Sequence, residues 1–152
     1  MSSSPGGEEE IRRLLAAYQQ YQAQAESIMR QLNLTQITAQ GLDHALSAVD
    51  ALEMAEVGQE ILVPIGSGSF IHGTLASKEK IILNVGAGVS IEKTATEAKE
   101  ILKIRKDEVL EGSKKLNEVL AKIDQEMQRI QAIMQQFEES QQQQIPGSEG
   151  IV

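Results

Sequence analysis

ILVPIGSGSFIHGTL (61–75) and KIILNVGAGVSIEKT (80–94) decide how this chain folds. Val63-Pro-Ile-Gly-Ser-Gly-Ser-Phe-Ile71 is echoed by Leu83-Asn-Val-Gly-Ala-Gly-Val-Ser-Ile91, and each reads strand, Gly-x-Gly, strand. The apolar residues alternate with polar or small ones, as Ile61, Val63 and Ile65 do, which is the period of a half-buried strand. The glycines supply the positive φ that tight hairpin turns and bulges need. The reading is two consecutive β-hairpins, with Phe70 to Leu75, Ile81 to Val85 and Val89 to Lys93 as the further strands. Pro64 confines its own strand to an edge or a bulge.

Outward from this segment, both flanks become helical. Over 9–55 the apolar residues recur at alternating steps of three and four. The seam runs Ile11, Leu14, Tyr18, Tyr21, Ala25, Ile28, Leu32, Thr35, Ala39, Leu42, Leu46 and Val49. Over 95–137 the same pattern returns, from Ala95, Ala98 and Leu102 to Ile130, Ile133 and Phe137, and it misses at Arg105, Gly112 and Glu126. Heptad patterns of this length specify coiled-coil helices. Thr94 followed by Glu97 is a capping box that fixes the second helix start, and Gly58 reads as the stop of the first. Equal helix lengths predict that the chain folds back on itself, pairing Val49 with Ala98 and Ile11 with Phe137. The fold class is α+β: a long antiparallel two-helix coiled coil with two central β-hairpins. The expected organisation is a disordered tail over 1–7, helix over 8–57, hairpins over 58–93, helix over 94–140 and a disordered Gln-rich tail over 141–152.

Four short strands cannot stand alone, because their apolar faces need a second layer and their edges need partners. A pair of helices cannot supply both. Strands from several chains are therefore expected to complete a shared intersubunit β-barrel or sheet. The assembly residues would be Ile61, Val63, Ile65, Phe70, Ile71, Leu75, Ile82, Leu83, Val85 and Val89. At the opposite ends of the helices, Leu14, Leu15, Tyr18, Ile130, Ile133, Met134 and Phe137 gather in the fold-back register. A fraying helix end cannot bury every seam residue. An apolar, Met-containing tip suits varied apolar partners.

Composition agrees with this plan and excludes others. Only 3% of the 152 residues are aromatic, against 41% hydrophobic overall, which disfavours a compact core and favours helix-on-helix packing. There is no Cys, so disulfides, thiolate metal sites and thiol nucleophiles are excluded. A net charge of −8 argues against nucleic acid and anionic membranes as partners. No apolar run or basic leader marks a membrane span or signal peptide, so a soluble cytoplasmic chain is expected.

Chemical motifs fail individually. Gly66-Ser-Gly68-Ser-Phe70 lacks a third glycine, because position 71 is Ile71, and no helix follows to receive a phosphate. His44 and His72 have no second ligand at i+3 or i+4, so zinc spacing is missing. The carboxylates are spread over helix surfaces and form no pair for acid–base work. The expectation is no enzyme, no cofactor and no metal.

The two hairpin sequences, with the VPIGSGSF and NVGAG stretches and the Glu92-Lys93 ending before the second helix, resemble the α-type subunits of the prefoldin (GimC) family, in its archaeal form. Two hairpins rather than one mark the α-type. The resemblance spans about residues 8–140. It implies a hetero-hexamer of two α-type and four β-type subunits, with the strands closed into a double β-barrel and six coiled coils hanging from it. It implies an ATP-independent holdase that binds unfolded client proteins at the tips and passes them to a group II chaperonin. Leu14, Leu15, Tyr18, Ile130, Ile133, Met134 and Phe137 carry over as the tip by position, since such tips share apolar character and not a strict motif. The competing reading is a non-catalytic coiled-coil scaffold oligomerised by its β segment.

Overall fold

The computed structural model describes residues 5–144, with the element order α1 (Pro5–Met54), β1 (Glu60–Gly66), β2 (Ser69–Thr74), β3 (Ile81–Gly86), β4 (Val89–Lys93) and α2 (Ala95–Gln144). The two helices have 50 residues each. α2 runs further than the heptads predict, to Gln144, whereas α1 begins earlier than expected, at Pro5, and ends earlier, at Met54. Pro5 to Gly7 are helical and not tail, as is 141–144, while the remainder of both expected tails lies outside the described residues. Proline at the first helical position fits because that N–H would have no partner anyway. α1 stops at Met54, four residues before Gly58. Gly58 instead adopts φ +89° in a turn closed by the bond from the Gln59 N–H to the Glu56 carbonyl at 3.0 Å.

The chain divides into two compact units. The hairpin unit is Thr35–Gly112, and the helical unit holds the residues up to Leu34 and from Ser113 onward.

In the hairpin unit, β1 pairs antiparallel with β2, and β3 with β4, as two separate two-stranded sheets. The sequence echo is an echo of geometry. Ser67-Gly68 and Ala87-Gly88 form the two loops, with φ of +50° and +72° in the first and +52° and +75° in the second. Two positive φ values in a two-residue loop are the type I′ turn, whose twist matches that of paired strands. Each hairpin also slips register just before its turn, between Pro64 and Gly66 and between Asn84 and Gly86. The slip leaves Ile65 and Val85 as bulge residues, and it ends in Gly66 at φ +108° and Gly86 at φ +106°. The Asn84 side chain supports its bulge by accepting a bond from the Gly86 N–H at 2.7 Å.

The core of this unit is Val49, Leu83, Ala98 and Leu102, with Leu42, Leu46, Ile81, Ile91 and Ile101 packed around it. One face of the second hairpin therefore lies on both helices. Burying each such aliphatic side chain contributes roughly 1.5–3 kcal/mol. The register of α1 on α2 is fixed by ion pairs one heptad apart: Lys106 to Asp43 at 2.5 Å, and Lys99 to Asp50 at 2.6 Å and to Glu53 at 2.5 Å. Val49 and Ala98 meet in this core, as the fold-back pairing expects. Arg105, the first miss in the α2 seam, is half-buried and donates to the Asn84 carbonyl at 2.7 Å.

The ends of the elements are satisfied locally. Thr94 Oγ1 accepts from the Glu97 N–H at 3.2 Å and Glu97 Oε2 from the Thr94 N–H at 3.4 Å, so the capping box forms as read. α1 has no basic residue in its last turn. The Lys78 ammonium from the β2–β3 connection donates to the Ala55 carbonyl there at 2.9 Å, and places a positive charge at the negative end of the helix. β2 is tied to the start of β1 by bonds from the Gly58 N–H to the Leu75 carbonyl and from the Leu75 N–H to the Gln59 carbonyl.

In the helical unit, Ile123 and Ile130 are the buried seam residues, at 6% and 2% exposure. Gln131 Nε2 donates to the Tyr18 hydroxyl at 2.9 Å and joins the two helices there.

Candidate functional site

Each unit carries one of the two apolar sets read from the sequence, and they differ sharply in exposure. The first is on the hairpins. Val63, Ile65, Phe70, Ile71, Ile82, Val85 and Val89 are all exposed, Phe70 at 57% and Ile82 at 69%. Ile61 is half-buried and packs across the strand pair on Gly73, with its Cγ1 3.7 Å from where a Cβ would stand. Leu75 and Leu83 differ from the other assembly candidates. Both are buried within the chain, Leu83 against the helices and Leu75 where β2 meets the α1–β1 turn. Neither is available to another subunit. Leu62, 60% exposed, belongs to the surface although it falls outside the alternation that singled out the others.

The hairpins differ in how they are held. The second has one face on the helices through Leu83, Ile81 and Ile91, and its bulge is bound by Arg105. In the first, all of β1 except Ile61 and all of β2 except Gly73 are exposed. Two-stranded hairpins are at best marginally stable in water. An apolar hairpin exposed on both faces, with free edges, is a surface for strand pairing or sheet packing.

The second set is in the helical unit. Of the seven tip candidates, Leu15 is exposed at 45%, while Leu14, Tyr18, Ile133, Met134 and Phe137 are half-buried. Ile130 is not part of an open surface: at 2% exposure it is a seam residue. Tyr18 also spends its hydroxyl on Gln131. The accessible part of the set is therefore Leu15 with the edges of five half-covered side chains.

Among the described residues no group of three or more His, Asp or Glu side chains could hold a metal ion, and no helix is long and apolar enough to cross a membrane. The Lys99 pKa is raised above its ordinary 10.5 by hydrogen bonds to Asp50 and then Glu53, which is the signature of a structural ion pair.

Two long antiparallel helices carrying two apolar hairpins define a coiled-coil protein of the assembling kind. The prefoldin subunit family model matches residues 21–140, and the chain belongs to the prefoldin family. It is 56% identical over 118 residues to prefoldin subunit alpha of Methanothrix thermoacetophila, covering 77% of each chain. It is 33% identical over 136 residues to prefoldin subunit alpha of Pyrococcus horikoshii, covering 89% of this chain and 90% of that one. A chain of the filamentous PFD from Methanocaldococcus jannaschii, solved by cryo-EM, has a similar fold. The TM-score is 0.67 at 22% identity, over 77% of this chain and 97% of that chain. Prefoldin is a chaperone family whose subunits assemble into oligomers.

Proposed function

We propose that this chain is a subunit of an ATP-independent holdase of the cytoplasm. It binds non-native proteins through the apolar ends of its helices and delivers them to a group II chaperonin. Its hairpins pair with β-type subunits, two α-type with four β-type, and close a shared barrel. The observation that carries this reading is one chain with an exposed apolar hairpin, which needs partners, and an exposed Leu15 among five half-covered apolar side chains of the helical unit. Contact at each tip is weak and reversible, and several tips in one assembly strengthen it together.

The test is light scattering of a chemically denatured protein diluted into buffer with this chain co-assembled with a β-type subunit, without nucleotide. Suppressed aggregation that disappears when 1–18 and 130–152 are removed supports the holdase. A verified assembly that suppresses nothing returns the chain to the scaffold reading.

A further inference from the structure

The helical unit carries a lateral groove separate from the tip candidates. Its volume is about 540 Å³, and it is lined by Gln22, Ala25, Glu26 and Met29 of α1 and by Asn117, Leu120, Ala121, Asp124 and Met127 of α2. Two of its lining residues, Ala25 and Ala121, have small side chains, the first half-buried and the second exposed. Met29 in its lining is 51% exposed, although Ile123 of the seam is only 6% exposed. Methionine thioethers adapt to differently shaped apolar partners.

The charge of the lining is one-sided. It contains two carboxylates and no cation. In the hairpin unit, Asp43, Asp50 and Glu53 are all paired with lysines, and Glu126 of the helical unit is paired with Arg129. Glu26 and Asp124 have no ion-pair partner among the described residues, even though Arg30 stands four residues from Glu26. Asp124 accepts only a neutral bond, from Gln128 Nε2 at 3.2 Å. The lining residues recur at steps of three and four on both helices and extend over roughly 15 Å, which is the length of about three turns of a docked helix.

We infer that this groove docks a cationic amphipathic helix of a partner protein. The apolar face of that helix lies on Met29, Leu120 and Met127, and its basic residues lie against Glu26 and Asp124. This is the helix-in-groove mode of recognition, read by apolar anchors at i, i+3, i+4 and i+7. The groove shares no lining residue with the tip candidates.

The experiment uses the full chain co-assembled with a β-type subunit. The probe is a fluorescein-labelled helical peptide with leucines at i, i+3, i+4 and i+7 and flanking arginines, followed by anisotropy. A glutamate-flanked peptide is the comparison. Saturable binding that prefers the arginine peptide and weakens with salt is expected. Two exposed charge pairs predict a loss of about 3- to 10-fold for the Glu26→Gln/Asp124→Asn double variant. Glu26→Lys/Asp124→Lys should invert the preference toward the glutamate peptide, a gain that a misfolded variant cannot produce. Leu15→Ser/Met134→Ser should leave peptide binding intact even where capture of denatured protein is lost. Unchanged affinity in both charge variants would overturn the inference. So would loss of peptide binding in the tip variant alone, which would place the peptide at the tip. A self-association dissolved by Met29→Ser in sedimentation would overturn it too, by making a second copy of the chain the occupant.

Discussion

Arg105 of α2 donates a hydrogen bond at 2.7 Å to the backbone carbonyl of Asn84 at the bulge of the second hairpin. A cation thus replaces an apolar residue in the helical seam, and the replacement ties a sheet to a helix. Hydrogen bonds from charged donors are worth about 1.5–3 kcal/mol. Arg105→Leu would suit the heptad but lose this tie. We expect helix content to hold by circular dichroism while amide exchange speeds up in β3 and β4. Slower or unchanged exchange there would mean the apolar contacts of Leu83 hold the hairpin alone.

The turns predict a stabilising change. Ala87 sits at φ +52°, a conformation that costs an ordinary L-residue roughly 1 kcal/mol. Ala87→Asn should raise stability by about 0.5–1 kcal/mol, because asparagine tolerates this conformation and favours the type I′ turn. Gly86→Val, at φ +106°, should do the opposite and by more. Denaturant midpoints of the two variants, moving in opposite directions from the wild type, check both.

Alkaline pH should weaken the join between the helices at Lys99. Its pKa is raised by Asp50 first and Glu53 second, so the pairing stabilises the fold fully below the ordinary lysine value and fades as pH climbs through the higher folded value. The melting difference between wild type and Lys99→Gln should be steady from about pH 8 to about pH 10 and shrink above that. A difference that grows on the alkaline side would contradict the sign.

The seven tip residues should separate by burial. Ile130→Ser removes a side chain only 2% exposed and should cost roughly 2–5 kcal/mol. Leu15→Ser should be close to neutral for stability. With Met134→Ser, it should weaken capture of denatured protein while the assembly keeps its size in sedimentation. Loss of the assembly instead would make these residues structural.

Much of this was legible in the sequence because local chemistry decided it. The Gly-x-Gly echoes became two turns of one kind with a bulge before each, and Thr94 with Glu97 became a capping box. Heptad spacing yielded the pairing of Val49 with Ala98. What escaped was decided by neighbours distant in sequence. The α1 terminus depended on the β2–β3 connection reaching back through Lys78, so Gly58 was a misleading stop. Leu83 and Leu75 share the alternation of exposed strand residues, and only the helices and the returning chain separate them. Arg105 appeared as a defect because its partner, a backbone carbonyl, has no sequence signature. The groove left a faint signal: Ala25 in the α1 seam with Met29 four residues on, and Ala121 of α2 with Met127 six residues on.

The repeated turn and bulge have a consequence for valency. A two-stranded hairpin offers two edges to its neighbours. This chain presents the same motif twice, once braced against its own helices and once standing free. The braced copy would set an orientation, and the free copy could adjust to an imperfect neighbour. In the proposed assembly, the two copies give the subunit two unlike surfaces for its neighbours, so its copy number would bear on where the assembly closes.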